Sequence, residues 1–260
     1  MNKVFVLLFL AVSGVCAQED YIAIVNQTSG EVTALRKGAD SWKEVAKDDA
    51  FAAGDIIKTE ENSSCEIYLI DGTIFEIGPS SVLKIQELSG KDDFLERTIL
   101  DLEMGDLLSE IEKGLDYSVR TPQAVCAVRG TKFAVSTGES KESKIAVFKG
   151  RVGVKNYEKS GLLSKTDQII NEMQEAHVAL YNKPQLMKKL SKEMSAVRDR
   201  MVKNNSRRKK LRKKIFKERK ALLEKRKEII LERNREKKEE LIKERKSRRN
   251  PRMRSPEKKR

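Results

Sequence analysis

The sequence predicts a mainly β domain, built as a β-roll, a short solenoid or a sandwich, followed by a long charged arm that is α-helical or a coiled coil. Three observations support this prediction. Short β-rich runs separated by Gly and Pro recur up to residue 160, a Gly-Thr-x-Phe motif occurs twice among them, and the charge changes sign near residue 183. Residues 183–260 carry 34 Lys and Arg against 11 Asp and Glu, whereas the whole chain has a net charge of +14. The body is therefore acidic and the arm strongly basic.

Residues 1–17 have the pattern of a secretory signal peptide. Lys3 provides a positive start, residues 4–15 are largely apolar, and Ala17 is a small residue before the predicted cleavage site. This run is shorter than the ~20 residues that a transmembrane helix needs. A lipoprotein modified at Cys16 is the alternative. We therefore expect an exported protein of the periplasm or cell envelope, with no transmembrane span in the mature chain.

Two cysteines, Cys65 and Cys126, remain after this processing. Disulfides persist in exported proteins, so the two residues are candidates for one disulfide. The alternative is a pair of buried free thiols, because cysteine also packs as a small apolar residue. The sequence leaves both alternatives open.

Residues 18–160 are predicted to form one β domain, because their number falls in the usual range for a single domain. Two pairs of β-rich runs are separated by turn residues and suggest hairpins. The first pair, Tyr21–Val25 and Glu31–Leu35, flanks Gly30. The second pair, Lys144–Phe148 and Arg151–Val154, flanks Gly150. Short strands with Gly at such intervals are typical of all-β folds.

The repeated motif reads Asp71-Gly72-Thr73-Ile74-Phe75 in its first copy and Arg129-Gly130-Thr131-Lys132-Phe133 in its second. A Gly-Asp pair precedes each copy. Gly allows a sharp bend, the Thr hydroxyl can satisfy a backbone group there, and Phe can fill the core. We therefore interpret Gly72, Thr73, Phe75, Arg129, Gly130, Thr131 and Phe133 as a structural motif. Arg129 is also a candidate for binding an anionic partner, although an ion pair with an acidic neighbour such as Asp71 is favoured.

The body resembles the FecR-like domain family over most of residues 22–155. Five pieces of sequence carry the resemblance, namely Gly54–Thr59, Leu69–Thr73, Thr121–Val125, Val128–Val135 and Val147–Val152. The resemblance implies an extracytoplasmic, β-rich domain of bacterial envelopes. In the best-known members this domain relays a signal from an outer-membrane receptor to a cytoplasmic sigma factor, and a cytoplasmic segment and one transmembrane helix precede it. In this sequence a predicted signal peptide precedes the domain instead of a cytoplasmic segment and a transmembrane helix.

The remaining sequence divides into a predicted linker at 161–183, a basic helical or coiled-coil arm at 184–247 and a disordered basic tail at 248–260. Pro184 suits the first turn of a helix. An apolar stripe at helical spacing follows, and a second stretch has partly seven-residue spacing, which is typical of a coiled coil. These stripes consist of Leu186, Leu190, Met194, Val197 and Met201, and then of Leu211, Ile215, Leu222 and Ile229.

The most basic part of the arm offers several binding hypotheses. The candidate binding residues are Arg207, Arg208, Lys209, Lys210, Arg212, Lys213 and Lys214. They could lie on an anionic lipid or polymer surface, or on the acidic body in cis or in trans. The arm could also form a homo-oligomer through its apolar seam, or act as a solvated spacer. Nucleic acid is disfavoured, because the chain is predicted to be exported and only Phe216 could stack on a base in the arm.

No catalytic motif stands out. His177 is the only histidine, and it is predicted to be a surface residue. One His and two Cys cannot form an ordinary zinc site by themselves. We therefore expect a protein that is not an enzyme and has no cofactor or metal. The leading hypothesis is a cell-envelope binding or scaffold protein whose partner is an envelope protein, a glycan or an anionic surface. The alternative is a periplasmic component of a FecR-type signal-transduction system that regulates a sigma factor.

Overall fold

The computed structural model describes residues 22–91, 94–112, 114 and 116–249. The predicted signal peptide at 1–17 lies outside these residues, as does all but the first two residues of the predicted tail at 248–260. Within them the chain forms seventeen strands and two helices: β1 (Ala23–Ser29), β2 (Val32–Leu35), β3 (Lys43–Glu44), β4 (Ala50–Phe51), β5 (Ile56–Thr59), β6 (Ser64–Leu69), β7 (Ile74–Ile77), β8 (Ser81–Lys91), β9 (Phe94–Glu110), β10 (Asp116–Arg120), β11 (Ala124–Val128), β12 (Lys132–Thr137), β13 (Glu142–Lys149), β14 (Arg151–Asn156), β15 (Gln168–Asn171), β16 (Glu175–Ala179), β17 (Gln185–Met187), α1 (Lys192–Lys217) and α2 (Arg219–Arg249).

The strands form two sheets that share the long strand β9. Sheet 1 has the order β4-β1-β6-β7-β9-β12-β13-β16-β17. Sheet 2 has the order β3-β2-β5-β8-β9-β10-β11-β14-β15. Every pairing between these strands is antiparallel except that of β9 with β10. The prediction of a mainly β body is confirmed.

Apolar side chains of both sheets form one core between them. Apolar and polar residues alternate along the strands, and successive side chains of a strand point to opposite faces. The apolar side chains therefore share the face that lies between the sheets. The core includes Val25, Ile67 and Phe75 from sheet 1 and Leu83, Val119 and Val152 from sheet 2, all of them at most 2 % exposed.

Strand β9 passes from one sheet to the other at Gly105. Residues 94–104 pair with β8 in sheet 2, and residues 105–110 pair with β12 in sheet 1. Gly105 has a φ of 94°, and a Cβ atom there would overlap the side chain of Ser81. Only glycine combines this backbone angle with so close an approach. The sheet crossing therefore depends on Gly105.

The two copies of the Gly-Thr-x-Phe motif lie on opposite sides of β9. Phe75 on β7 and Phe133 on β12 are both register partners of Ser109. Both rings are fully buried. The Thr131 hydroxyl donates to the carbonyl oxygens of Arg129 and Arg151 at 3.1 and 3.0 Å. The motif thus fills the core and satisfies backbone groups at the bend.

Both predicted hairpins are wrong, because the Gly30 and Gly150 turns are corners between the sheets. β1 pairs with β4 and β6 in sheet 1, whereas β2 pairs with β3 and β5 in sheet 2. β13 and β14 are divided between the sheets in the same way. Alternation shows which side of a strand is buried, but it does not identify the neighbouring strand.

Residues 161–183, predicted to be a linker, continue the β body. β15 pairs with β14 and β16 pairs with β13, so these strands extend both sheets. Along β15 only Ile170 is buried, and its neighbours are exposed. An edge strand with so few apolar contacts has little hydrophobic signal in its sequence, which explains the wrong prediction.

The arm begins later than predicted. Pro184 precedes β17 and is not part of a helix. α1 starts at Lys192, and its N-cap is Ser191, whose hydroxyl accepts a hydrogen bond from the backbone nitrogen of Met194 at 3.1 Å. Such a cap satisfies one of the free N–H groups at a helix start.

The arm consists of two helices, α1 and α2, separated at Glu218, and the coiled-coil alternative is not confirmed. Together they cross the outer face of sheet 1, from β16, where Glu175 binds the start of α1, to β4, where α2 binds Ala50. Within the part of the chain that the structure describes, no helix is long and apolar enough to cross a membrane.

Candidate partner-binding surfaces

Three glutamates, called here the glutamate cluster, lie together on the outer face of sheet 1. Glu66 is on β6, Glu76 on β7 and Glu110 on β9, and these strands are neighbours. Their side chains are 1 %, 12 % and 1 % exposed. Removing carboxylates from water is costly unless each is paired and hydrogen-bonded. The cluster therefore needs cations on top of it.

Arg208 of α1 supplies the central cation and bonds to all three carboxylates. Its Nε and Nη1 atoms donate to Glu66 and Glu110, each at 2.8 Å, and its Nη2 atom donates to Glu76. The Arg208 side chain is 1 % exposed. A planar guanidinium with five donors suits such a site, whereas an ammonium group has a single point charge.

Three further arginines add to the pairing, and one of them, Arg200, lies 3.6 Å from Glu76. Arg207 donates two hydrogen bonds to the Glu66 carboxylate, both at 2.7 Å. Arg212 donates to Glu110 at 3.0 Å and to the carbonyl oxygen of Gly72 at 3.0 Å. From the sheet itself, Lys132 pairs with Glu110 at 2.9 Å. The glutamate cluster is thus neutralised mainly by the arm.

These contacts change the acidity of the cluster. Burial alone would raise the pKa of Glu110, but hydrogen bonds from Arg208 and Lys132 outweigh it and lower the pKa to about 2. The pKa of Glu66 is lowered in the same way. Burial alone would raise it, but hydrogen bonds and positive charge from Arg207 and Arg208 outweigh burial. Both groups are therefore held ionised in the folded state.

We expect the protein to lose stability as the pH falls from about 4.5 towards 2. Because the pKa of Glu110 is lower in the folded state than its ordinary 4.5, its contribution is complete above about pH 4.5 and disappears as the pH falls through about 2. The free energy of unfolding, measured with urea at pH 7, 4 and 2.5, should show this decrease. In Glu110→Gln the free energy of unfolding should fall less between pH 7 and pH 2.5 than in the unchanged protein. The exposed control Glu239→Gln should show the full decrease. An unchanged slope in Glu110→Gln would contradict the assignment.

An apolar contact surface adjoins the glutamate cluster. Met194 and Met201 of α1 are 2 % and 3 % exposed, and Leu190 and Val197 pack beside them. On sheet 1 they meet Leu108, Ala134, Ala146 and Phe148. Of the first predicted apolar stripe, Leu190 to Met201 therefore pack against the body in cis, whereas Leu186 lies on β17.

Helix α2 continues the contact at the other edge of sheet 1. Ile229 packs against a small cluster formed by Ile22, Ile24 and Ala50. Arg233 donates to the Asp55 carboxylate at 2.9 Å. Asp55 is 1 % exposed, so this ion pair also joins the arm to the body.

The predicted basic binding site is divided by the fold. Arg207, Arg208 and Arg212 face the sheet, where they bind the glutamate cluster. The exposed residues are Lys209, Lys210, Lys213 and Lys214. The acidic body in cis is therefore the partner of the arginines. Only the lysines remain for any external anion.

Arg129 lies on the opposite side of the body, in sheet 2. Its side chain is 80 % exposed and donates to Asp116 at 2.9 Å. The acidic neighbour that Arg129 contacts is therefore Asp116 and not the candidate Asp71, whose carboxylate accepts a hydrogen bond from the Thr73 hydroxyl at 2.6 Å. The residue before Gly therefore has different contacts in the two copies of the motif. Asp71 bonds to Thr73 within the first copy, whereas Arg129 of the second copy bonds to Asp116 outside the motif.

The region around Arg129 is an open cleft of about 830 Å³ on the outer face of sheet 2, called here the sheet 2 trough. Its lining includes Arg97, Arg151 and Asp167 besides Arg129. The contacts of both helices described above lie on the sheet 1 side. Pockets of this size are large enough to hold a ligand.

The candidate disulfide is absent, since Cys65 and Cys126 are both buried free thiols. Cys65 belongs to β6 in sheet 1 and Cys126 to β11 in sheet 2. Burial raises the pKa of each thiol to about 12. The thiolate, which is the reactive form, is therefore scarce at neutral pH.

We expect neither thiol to react with iodoacetamide in the folded protein at pH 8, because both are inaccessible and protonated. Mass spectrometry should show no modification of Cys65 or Cys126 without denaturant and modification of both in 8 M urea. Rapid labelling of either cysteine in the native state would contradict the burial of that residue.

His177 lies on β16 and is partly buried, with its Nε2 atom 2.8 Å from a Glu175 oxygen. Glu175 also accepts a hydrogen bond from the backbone of Ser191, so this contact is part of the helix start. Among the described residues, no three His, Cys, Asp or Glu side chains are grouped to hold a metal ion.

The comparisons with known proteins identify the central part of this body. A family model described as "FecR protein" matches residues 55–153. The matched part of the chain, residues 55–153, is called here the FecR domain. Two crystal structures from Parabacteroides distasonis, described as a "putative anti-sigma factor", share 19 % identity with the chain at a TM-score of 0.44. The alignment covers 54 % of this chain and 63 % or 62 % of those chains, so it spans less than two thirds of their length. No curated protein matches the chain.

The FecR domain contributes to both surfaces. It contains Asp55 and the whole glutamate cluster, on which the arm lies, and it contains the three arginines of the sheet 2 trough. The arm itself follows the matched region. Strands β1 to β4 and β15 to β17 lie outside it and complete the two sheets.

Proposed function

We propose that this protein is a non-enzymatic component of a FecR-type signal-transduction system, located outside the cytoplasm, that binds a protein partner through sheet 2. The observation that supports the proposal is that the arm covers one outer face of the FecR domain and leaves an open cleft on the other. The arm lies on sheet 1, whereas Arg129 and the sheet 2 trough are accessible.

The division of charge supports this arrangement. The arm binds its own body through buried ion pairs, and separating such a pair leaves an uncompensated buried charge. A surface that is occupied in this way is a poor site for a second protein. The exposed Arg129 face is the better candidate, because arginine is enriched at protein interfaces.

Deletion of the gene in its native organism tests the signalling role. We expect a defined set of transcripts to change and to be restored by the full-length chain. A chain lacking residues 1–17 serves as the matched control, since it should remain in the cytoplasm and fail to restore them. Identical transcript profiles in the parent and deletion strains, under conditions in which the protein is made, would contradict the proposal.

The exposed lysines favour a second candidate function, which is attachment of the protein to an anionic surface. Lys209, Lys210, Lys213 and Lys214 keep their charge in solvent while the neighbouring arginines are buried. Each lysine near an anionic membrane contributes about 1 kcal/mol to binding. The lysine surface could therefore hold the body against a lipid bilayer.

Co-sedimentation with vesicles tests this attachment. Replacement of the four lysines by Gln should reduce binding to phosphatidylglycerol-containing vesicles roughly a hundredfold or more at low salt. The matched control replaces Lys43, Lys47, Lys159 and Lys165, which are exposed on the body. Equal losses in the two variants would show a general charge effect rather than a lysine surface on α1.

A further inference from the structure

The floor of the sheet 2 trough is a row of register partners that crosses five strands. From β9 to β15 the row consists of Ile99, Ser118, Ala127, Gly153 and Ile169. The three central residues are small, and the two at the ends are isoleucines. At about 4.8 Å per strand the row is roughly 19 Å long. A chain lying across the strands could therefore approach the backbone of the sheet closely.

One wall of the trough is basic. Arg97, Arg129 and Arg151 line it from β9, the end of β11 and the start of β14. Their strand positions separate Arg97 from Arg129 by roughly 10 Å and Arg129 from Arg151 by roughly 5 Å. All three are exposed. They form a line of guanidinium groups beside the small-residue floor.

This wall keeps most of its positive charge. Asp116, the partner of Arg129, also lines this wall and offsets one of its three positive charges. Among the described residues, neither Arg97 nor Arg151 forms an ion pair within 4.0 Å.

Cations on the other side of the row are already paired. Arg120 binds Asp101 through two nitrogen atoms at 2.5 and 3.0 Å. Lys155 binds Asp167 at 3.2 Å. The unbalanced charge of the trough therefore lies on the wall formed by Arg97, Arg129 and Arg151.

We propose that the sheet 2 trough binds an extended acidic segment of a partner protein. This inference rests on the proposed function and names the chemistry of its binding site. Glu or Asp side chains at alternate positions of the segment, about 7 Å apart, would reach successive arginines, and a guanidinium can bind a carboxylate through two hydrogen bonds. Ile99 and Ile169 offer apolar contacts at the two ends, which a peptide can use and a simple inorganic anion cannot.

A fluorescein-labelled octapeptide in which Glu alternates with Ala is a direct probe of the site. Its binding to the mature chain, residues 18–260, is measured by fluorescence anisotropy at about 0.1 M salt, where charges more than ~10 Å away are largely screened. We expect it to bind at least roughly tenfold more tightly than the peptide in which Gln replaces Glu, since charge-assisted hydrogen bonds are the stronger ones.

Three variants locate the binding. The triple variant Arg97→Gln, Arg129→Gln, Arg151→Gln should lose roughly tenfold or more in affinity for the acidic peptide. Ala127→Trp, which fills the floor without removing charge, should also weaken binding. The matched control is Lys209→Gln, Lys210→Gln, Lys213→Gln, which removes the same charge from the arm and should leave peptide binding within about twofold, because the Debye length is ~10 Å at 0.1 M salt.

The proposal is overturned if the acidic and Gln peptides bind equally, if wild-type protein binds neither, or if the arginine and lysine variants lose equal affinity. It is also overturned if the arginine variant loses binding to phosphatidylglycerol vesicles but not to the peptide, because the trough would then be a lipid site.

The strain in which the gene is deleted separates this proposal from the signalling role. If the arginine variant restores the transcripts fully, the trough is not the partner site and the signalling role stands. If deletion changes no transcripts, the signalling role fails whatever the peptide does.

Discussion

Replacement of Arg208 by Met should reduce the free energy of unfolding by about 3–5 kcal/mol, the range measured when one partner of a buried ion pair is removed. Arg208 is the only cation that contacts Glu66, Glu76 and Glu110 together among the described residues. Without it, two fully buried carboxylates lose a charged hydrogen-bond donor. Urea unfolding at pH 7, followed by far-ultraviolet circular dichroism, measures the effect.

The neighbouring Lys210→Met is the matched control, because Lys210 is exposed on the same helix. It should change the free energy of unfolding by no more than about 0.5 kcal/mol. Adding Glu66→Gln and Glu110→Gln to Arg208→Met should restore part of the loss, since the unpaired charges are then removed. If Arg208→Met and Lys210→Met unfold at the same urea concentration, the docking of α1 on the glutamate cluster is wrong.

Removal of residues 191–260 should have the largest effect and leave the β body unstable. The deletion exposes Phe148 and Leu108, which α1 covers, and removes Leu223 of α2 from the main core. It also leaves three neighbouring carboxylates without the arginines that neutralise them. Large exposed apolar patches promote aggregation. We expect increased binding of a hydrophobic dye and loss of the cooperative unfolding transition.

Removal of residues 235–260 is the matched control for this deletion. It retains Arg233 and every contact with the body described above, and the residues of 235–243 whose side chains the structure describes are exposed. The shorter deletion should unfold at the urea midpoint of the full chain. If the chain that ends at residue 190 is equally stable, the arm is a separate appendage, as the sequence alone suggests.

The charge pattern illustrates what the sequence of the arm leaves open. The basic run from Arg207 to Lys214 predicts an anion partner, and this prediction holds for three arginines. The partner is Glu66, Glu76 and Glu110, which lie about 100 residues or more earlier in the chain. Glu66 stands between the apolar residues Cys65 and Ile67, so alternation places it on the outer face of its strand. Nothing in that alternation indicates that a helix covers the outer face.

The Arg129 surface was only partly predictable for a similar reason. The motif identified Arg129 as a candidate, but the row of Ile99, Ser118, Ala127, Gly153 and Ile169 comes from five separate segments. Only the pairing of their strands brings these residues together. The parallel pairing of β9 with β10 and the corners at Gly30 and Gly150 are long-range features with no local signature.

The sequence by itself determined the β character of the body, the presence of helix in the arm, the FecR resemblance and the opposite charges of the two parts. These follow from local properties, namely alternation, turn residues, helical spacing and composition. Tertiary structure decided that the two strands of each predicted hairpin lie in different sheets, that residues 161–183 are part of the body and that the arm lies on sheet 1. Those outcomes depend on which buried surfaces and charges meet across more than a hundred residues, and that information is not present in any short stretch of the chain.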